Sequence, residues 1–285
     1  MAELVIVVGE RLMQLTTEQI SRYEKDGYIH LGKCFSSAEV AILRQEARRL
    51  GSPERSLREA NLVDDKTCVI WRSYALDRDS APFNAATRLP RIIERARAIL
   101  GPHVYLWQAH MNHKVAGKGE AWQWHQDYTA WWQDGMPRGG IHDCLTFMLM
   151  LDESTPENGP LEIIPGSHHG HHGEQGYWDT EGGKFALQAI PPEKVADLKQ
   201  RNGVVQVLGE AGSMVIVAGM VIHGSKENKS NMPRCNAFLA YNRTDNRPTR
   251  TESLRKHVSP FQLNHLSDEI SPVDDGALEH LARTA

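Results

Sequence analysis

Long hydrophobic runs are missing from this chain. Residues 4–8 are apolar, but five residues fall far short of the roughly 20 that a membrane span needs, and no basic flank or cleavage pattern surrounds them, so neither a membrane nor a targeting signal is expected. Cysteine is scarce as well. Cys34, Cys68, Cys144 and Cys235 stand far apart and form no CxxC pair, which speaks against a zinc site or a disulfide framework and for a reducing, cytoplasmic setting. An excess of one charge is also lacking: the net charge is -4 with both signs interspersed, so no basic face follows a phosphate backbone and nucleic acid is not an expected partner. There is no internal repeat and no low-complexity tract.

What is present is enough apolar material, 40% of residues with seven Trp, for the packed core of one 285-residue enzyme domain. The punctuation divides it into a helical part at about 15–101, a β core at about 102–247 and a tail at 248–285. Thr16-x-x-Gln19 and Ser36-x-x-Glu39 read as capping boxes, and after the second Val40, Leu43, Ala47 and Leu50 recur at helical spacing until Gly51. Residues 28–34 read as a strand between them. Pro90 opens a further helix with Ile92, Ile93, Ala96, Ile99 and Leu100 on one stripe. From 104 onward the pattern changes to short apolar runs at 104–112, 145–151, 161–165, 204–208, 213–218 and 235–241, separated by turns such as Asn158-Gly159-Pro160, as in a sandwich or barrel. The polar, Gly- and His-rich stretch from 168 to about 200 shows no clear strand and is expected to be a mobile loop or lid. Its His168, His169, His171 and His172 are read as solvated side chains rather than a second metal site.

The chemistry centres on Trp124-His125-Gln126-Asp127-Tyr128. If this is a strand, His125 and Asp127 project from one face about 6.6 Å apart along the backbone and can share an ion. His223, in His223-Gly224-Ser225 after the run at 213–218, supplies a third ligand. Two His and one carboxylate leave positions open on an octahedral iron(II) for a co-substrate and dioxygen. Eleven residues on, Arg234 opens another run, and its guanidinium suits the far carboxylate of a chelating dicarboxylate such as 2-oxoglutarate. Alternation puts Asn236 and Phe238 on the face of Arg234, and Gln108 and Asn112 together on another inward face. Arg72 is weighed between a substrate carboxylate and a structural ion pair. Trp131 is a candidate pocket wall, while Trp122, Trp124 and Trp132 lean to packing, as do Tyr128, Cys144 and Cys235. A zinc hydrolase or a non-catalytic jelly-roll binding module would use the same three ligands, but neither needs Arg234.

These residues, together with Asp134-Gly135-Met136, Asn158-Gly159-Pro160-Leu161, Pro165-Gly166-Ser167-His168 and Tyr241-Asn242-Arg243-Thr244-Asp245-Asn246, resemble the phytanoyl-CoA dioxygenase family of iron(II)- and 2-oxoglutarate-dependent oxygenases over about 104–246. The resemblance implies a mainly β fold with flanking helices, the double-stranded β-helix. It implies iron(II) held by His125, Asp127 and His223, and 2-oxoglutarate bound by Arg234 with further contacts from Asn112, Ser225 and Thr146. Oxidative decarboxylation of 2-oxoglutarate by dioxygen would then be coupled to hydroxylation of a substrate C–H, with Asp127 favouring hydroxylation over halogenation. Within the family the motifs are nearest to the branch acting on small cyclic amino acids such as proline and ectoine, where the positions of Gln108, Trp131, Asn236 and Phe238 line the pocket. Val217-Ala218 and His110 depart from the ectoine pattern, which turns the expectation from ectoine towards proline or a relative. Tailoring of a larger natural product is the alternative. The implied partner is a small molecule, with the chain a monomer or homodimer.

Overall fold

A computed structural model describes residues 14–55, 60–63, 69–117, 121–170, 177–179, 187–250, 252–254 and 268–284. Residues 4–8, Cys68, His171 and His172 lie outside these. The chain opens with α1 (Thr17–Asp26), β1 (Tyr28–Lys33) and α2 (Ser37–Leu50). Both helices start at reciprocal capping boxes, Thr16 with Gln19 and Ser36 with Glu39, which satisfy backbone N–H groups that no helical carbonyl can reach. α1 stops at Gly27, whose φ of 79° and whose close approach to the Val221 side chain, where any Cβ would collide, leave room for glycine only.

β2 (Asn61–Val63) and β3 (Ile70–Tyr74) follow, then α3 (Leu76–Asp79), α4 (Ala81–Ala86) and α5 (Pro90–Leu100). The expected stripe of α5 is buried as a whole. β2 and β3 correct the reading of the first third as helical with one strand. They are three and five residues long, too short for alternation to show, and exist by pairing with the sheet edge. The β core then runs through β4 (Val104–Lys114), β5 (Trp122–His125), α6 (Asp127–Gln133), β6 (Cys144–Met150), β7 (Leu161–Ile163), β8 (Tyr177–Asp179), β9 (Leu187–Ala189), α7 (Pro192–Asn202), β10 (Val205–Val207), β11 (Ser213–Ala218), β12 (His223–Ser225) and β13 (Arg234–Arg243), with α8 (Ala277–Thr284) near the end.

One sheet has the order β1-β11-β6-β13-β4-β3-β2, a second β10-β7-β12-β5, and β8 pairs with β9. All strand pairs are antiparallel. The two larger sheets share one apolar core, to which the first contributes Met148, Met150 and Val215 from the face that register shares with Phe238, and the second Leu161, Ile163 and Val207. This is the double-stranded β-helix with flanking helices. The site draws on strands β3, β4, β5, β12 and β13 and on the start of α6.

Three expectations need correction. The stretch 168–200 is not uniformly loop: it carries β8, β9 and the eleven-residue α7, which starts at Pro192 because proline's fixed φ suits a first helical position. His168 is buried, with its Nε2 3.0 Å from the Glu24 carbonyl, rather than solvated. The region after 248 also holds more than a tail, since α8 packs against α2 and α4 and buries Leu278. Cys34, Cys144 and Cys235 are free thiols, and among the described residues no helix is long and apolar enough to cross a membrane.

Candidate active site

β12 and β5 pair so that His223 and His125 are direct cross-strand partners, with Ile163 of β7 on the other side of His223. Their rings are tilted by 57° with centroids 4.3 Å apart. His125 Nδ1 lies 2.6 Å from the Gln123 carbonyl and His223 Nδ1 lies 3.0 Å from the Val221 carbonyl. A carbonyl only accepts, so each neutral ring carries its proton on Nδ1 and turns a bare Nε2 lone pair inward.

Asp127 completes the group. Its Oδ1 is 3.7 Å from His125 Nε2 and 3.8 Å from His223 Nε2, and the three ligand atoms lie within 4.8 Å of one another. Two metal–ligand bonds of about 2 Å span up to about 4 Å, which both carboxylate–imidazole distances meet. The route to this geometry differs from strand alternation. β5 ends at His125, Gln126 makes the corner, and Asp127 is the first residue of α6. The corner is pinned where the Gln126 amide donates to the carbonyls of Gly170 at 2.9 Å and Met220 at 2.5 Å, and where Tyr128 N donates to Gly219 O at 2.9 Å. Tyr128 is packing, as expected, with its hydroxyl donating to Pro137 O at 3.0 Å.

Burial works to raise the Asp127 pKa, but the His223 and His125 rings outweigh it and hold the carboxyl well below the usual carboxylate range. Burial, with His125 alongside, pushes His223 down to about 4, so its Nε2 is unprotonated at neutral pH. A carboxylate oxygen and two imidazole nitrogens on one side of a point are the donor set of a facial triad.

The cavity beside these ligands encloses about 470 Å³, its open mouth included. Arg234 reaches it from β13 and is 4% exposed. Its Nε donates to Asn158 O at 3.2 Å and one Nη to Gly159 O at 2.7 Å, while the other meets the Asn236 amide oxygen in the orientation that satisfies both amide atoms. Gly159 has φ 69°, and a Cβ there would collide with the Lys226 carbonyl, so the turn that holds Arg234 depends on glycine. Burial lowers Arg234 to about 10, which leaves it charged at neutral pH. Among the described residues no carboxylate comes within salt-bridge distance of it. A buried, unpaired guanidinium costs several kcal/mol, roughly, unless a ligand supplies the anion.

Of the residues singled out in the sequence, Arg72, Asn112, His125, Asp127, His223, Ser225, Arg234 and Phe238 all line this one cavity. Arg72 donates from Nε to Asn112 Oδ1 at 2.6 Å and from Nη1 to the Tyr74 hydroxyl at 3.0 Å. Asn236 stands behind the wall as the brace of Arg234. Gln108 and Thr146 are buried one cross-strand row further along, both opposite Ala240, and do not reach the cavity. Trp131 packs with Tyr105, Trp107 and Met136 and does not line it either. Four wall residues escape the sequence reading, Leu161 and Gly224 among them. Trp122, expected to be packing, lies across from Ser225 and under the Arg72 guanidinium at 4.2 Å. His110, which marks only a departure from the ectoine pattern, shares a face with Asn112 by the two-residue period, and that period is the signal that could find it.

Comparison with known proteins agrees with this geometry. The family model described as phytanoyl-CoA dioxygenase matches residues 23–236. An ectoine dioxygenase of Sphingopyxis alaskensis is 34% identical over 242 residues, 82% of this chain and 78% of that protein. An L-proline trans-4-hydroxylase of Streptomyces griseoviridis is 32% identical over 263 residues, 89% and 94% of the two chains. The crystal structure of EctD from S. alaskensis with 2-oxoglutarate and 5-hydroxyectoine superposes with a TM-score of 0.74 at 30% identity, covering 90% of this chain and 88% of that one.

Proposed function

The chain belongs to the phytanoyl-CoA dioxygenase family, and from that premise we propose that this iron(II)- and 2-oxoglutarate-dependent dioxygenase hydroxylates an unactivated C–H of a small, cyclic or zwitterionic amino acid such as proline. The observation that carries the reading is the pairing, in one cavity, of a facial triad with a buried cation that has no carboxylate partner among the described residues. A zinc hydrolase or a passive binding module has no use for that cation.

We assign the roles as follows. His125, Asp127 and His223 hold the metal on one side. Arg234, kept straight by the Asn158 and Gly159 carbonyls, takes the distal carboxylate of 2-oxoglutarate, and Asn112 and Ser225 contact the same co-substrate. Thr146 is assigned no direct contact. Iron(II), when bound, supplies the redox centre at which dioxygen converts 2-oxoglutarate to succinate and carbon dioxide and delivers its second oxygen atom to the substrate C–H. Trp122, Phe238 and Leu161 exclude water from that space, and Arg72 orients the substrate.

The test is anaerobic loading with iron(II) followed by air and 2-oxoglutarate. Succinate should form only with both present and should rise on adding L-proline or a relative, matched by hydroxylated product. Succinate formation that ignores iron, or none at all, would return the chain to the binding-module reading. Succinate without turnover of any free amino acid would leave the dioxygenase and remove the substrate class.

A further inference from the structure

His110 stands in the cavity wall with its ring fixed on both flanks. Phe238, its partner from β13, stacks on it with centroids 5.0 Å apart and planes within 8°. Tyr74, its partner from β3 on the opposite side of β4, leans against it at 5.5 Å and 44°. With both flanks taken, only the edge of the ring can meet a ligand. Among the described residues that line the cavity, His110 alone has a buried side-chain atom, Nδ1, without a hydrogen-bond partner. That atom is closed off from the open cavity, so the ring meets a ligand through its other nitrogen, Nε2, which has no hydrogen-bond partner among the described residues. Were this histidine simply packing, phenylalanine would fill the stack without the unmet nitrogen.

Arg72 stands one cross-strand row away, aligned with Asn112, with its guanidinium laid over the Trp122 ring. The two side chains make an unlike pair. Burial and the Arg72 charge, opposed by Asp127, keep the His110 ring neutral; with its proton on the enclosed Nδ1 it presents Nε2 as an acceptor, while Arg72 presents only donors. Between them and the Phe238 and Trp122 rings fits a molecule with an anionic end, a hydrogen-bond donor a short way from it, and a compact apolar body. That is a free α-amino acid in its zwitterionic form.

Resting on the reading that this cavity takes a small amino acid, we infer that His110 selects it by accepting a hydrogen bond from the substrate's ammonium while Arg72 takes its carboxylate. The reacting carbon then lies on the apolar body, away from both polar ends. Substrates that lack the amine donor leave His110 unsatisfied and are discriminated against.

The test uses protein loaded anaerobically with iron(II) and 2-oxoglutarate and reads binding by calorimetry. The probes are L-proline and L-pipecolic acid, their amine-free isosteres cyclopentanecarboxylate and cyclohexanecarboxylate, and pyrrolidine, which lacks the carboxylate. The wild type should bind an amino acid about tenfold or more tightly than its amine-free isostere, the worth of one charge-assisted hydrogen bond. In His110→Phe, which keeps the stack, that preference should fall to near parity, with binding of the carboxylates and the KM for 2-oxoglutarate unchanged. His110→Gln, which restores an acceptor, should recover part of it. Arg72→Gln should weaken the carboxylates and leave pyrrolidine unaffected. If the wild type binds neither amino acid, the amino-acid reading falls and takes this inference with it. If the wild type discriminates and His110→Phe does so equally, the selection by His110 alone is overturned.

Discussion

His223 faces His125 directly across an antiparallel strand pair, and each ring donates its Nδ1 proton to the backbone carbonyl two residues before it, Val221 for one and Gln123 for the other. The same local device is thus used twice, from opposite strands. It fixes the tautomer and the ring plane before any ion arrives, so metal binding spends little on ordering the imidazoles. The third ligand is held by a different means, the pinned corner at Gln126.

Asp127 supplies the only negative charge of the triad. Asp127→Ala should leave the fold intact, because the corner is held by Gln126 and by the Tyr128 backbone, yet iron-dependent succinate formation should fall by about two orders of magnitude or more. Succinate assay alongside circular dichroism separates the two effects. Wild-type turnover in the variant would remove Asp127 from the site.

Arg234→Ala should act on the co-substrate. Losing one partner of a buried charge pair typically costs about 2–5 kcal/mol, so the KM for 2-oxoglutarate should rise by roughly 30-fold or more. Arg234→Lys should fall between, since one ammonium cannot serve both the loop carbonyls and a carboxylate in fork geometry. Steady-state kinetics in 2-oxoglutarate checks this; an unchanged KM would show that the cation serves another anion.

Gly159→Ala should couple stability to co-substrate binding. The left-handed φ and the Lys226 carbonyl both oppose a Cβ, at a cost of about 1–3 kcal/mol. The same turn presents the carbonyl that holds Arg234, so thermal stability should drop and the KM for 2-oxoglutarate rise together. A stability loss with an unchanged KM would show that Arg234 is positioned without this turn.

Much of this site is legible in the sequence because its determinants are local. The capping boxes at Thr16 and Ser36, the strand-end His223-Gly224-Ser225 and the Arg234 run each carry their own signal. Strand alternation puts Asp127 in the right place, next to His125, for the wrong reason. The tetrad before Tyr128 alternates as a strand does, and what ends β5 is a set of long-range bonds from Gln126 to Gly170 and Met220 that no local pattern encodes. Trp122 and His110 escape the sequence for a related cause. Their place in the wall follows from register, Trp122 opposite Ser225 and His110 between Tyr74 and Phe238, and register is a tertiary property. α7 stays hidden because only Val195 and Leu198 of its surface are buried, leaving almost no apolar stripe to read.

His113 should give stability a pH dependence of its own. Burial pushes it down to about 4, with its Nε2 3.4 Å from Ser73 Oγ, whereas in the unfolded chain it titrates near 6.5. Between those values the unfolded chain holds the extra proton. Stability is therefore complete above about pH 6.5 and declines as pH falls towards about 4, by up to about 3 kcal/mol from this group. His110 and His223 push in the same direction, so the comparison isolates His113: metal-free His113→Gln should lose less stability than the wild type over that window in thermal melts. Parallel curves would show that His113 titrates normally in the fold.

The most direct test of the account is anomalous diffraction at the iron edge from anaerobic crystals soaked with iron(II) and 2-oxoglutarate. The account predicts one peak, about 2 Å from His125 Nε2, His223 Nε2 and an Asp127 carboxylate oxygen, with the co-substrate's far carboxylate on Arg234. A peak elsewhere, or a carboxylate that leaves Arg234 unpaired, would contradict it.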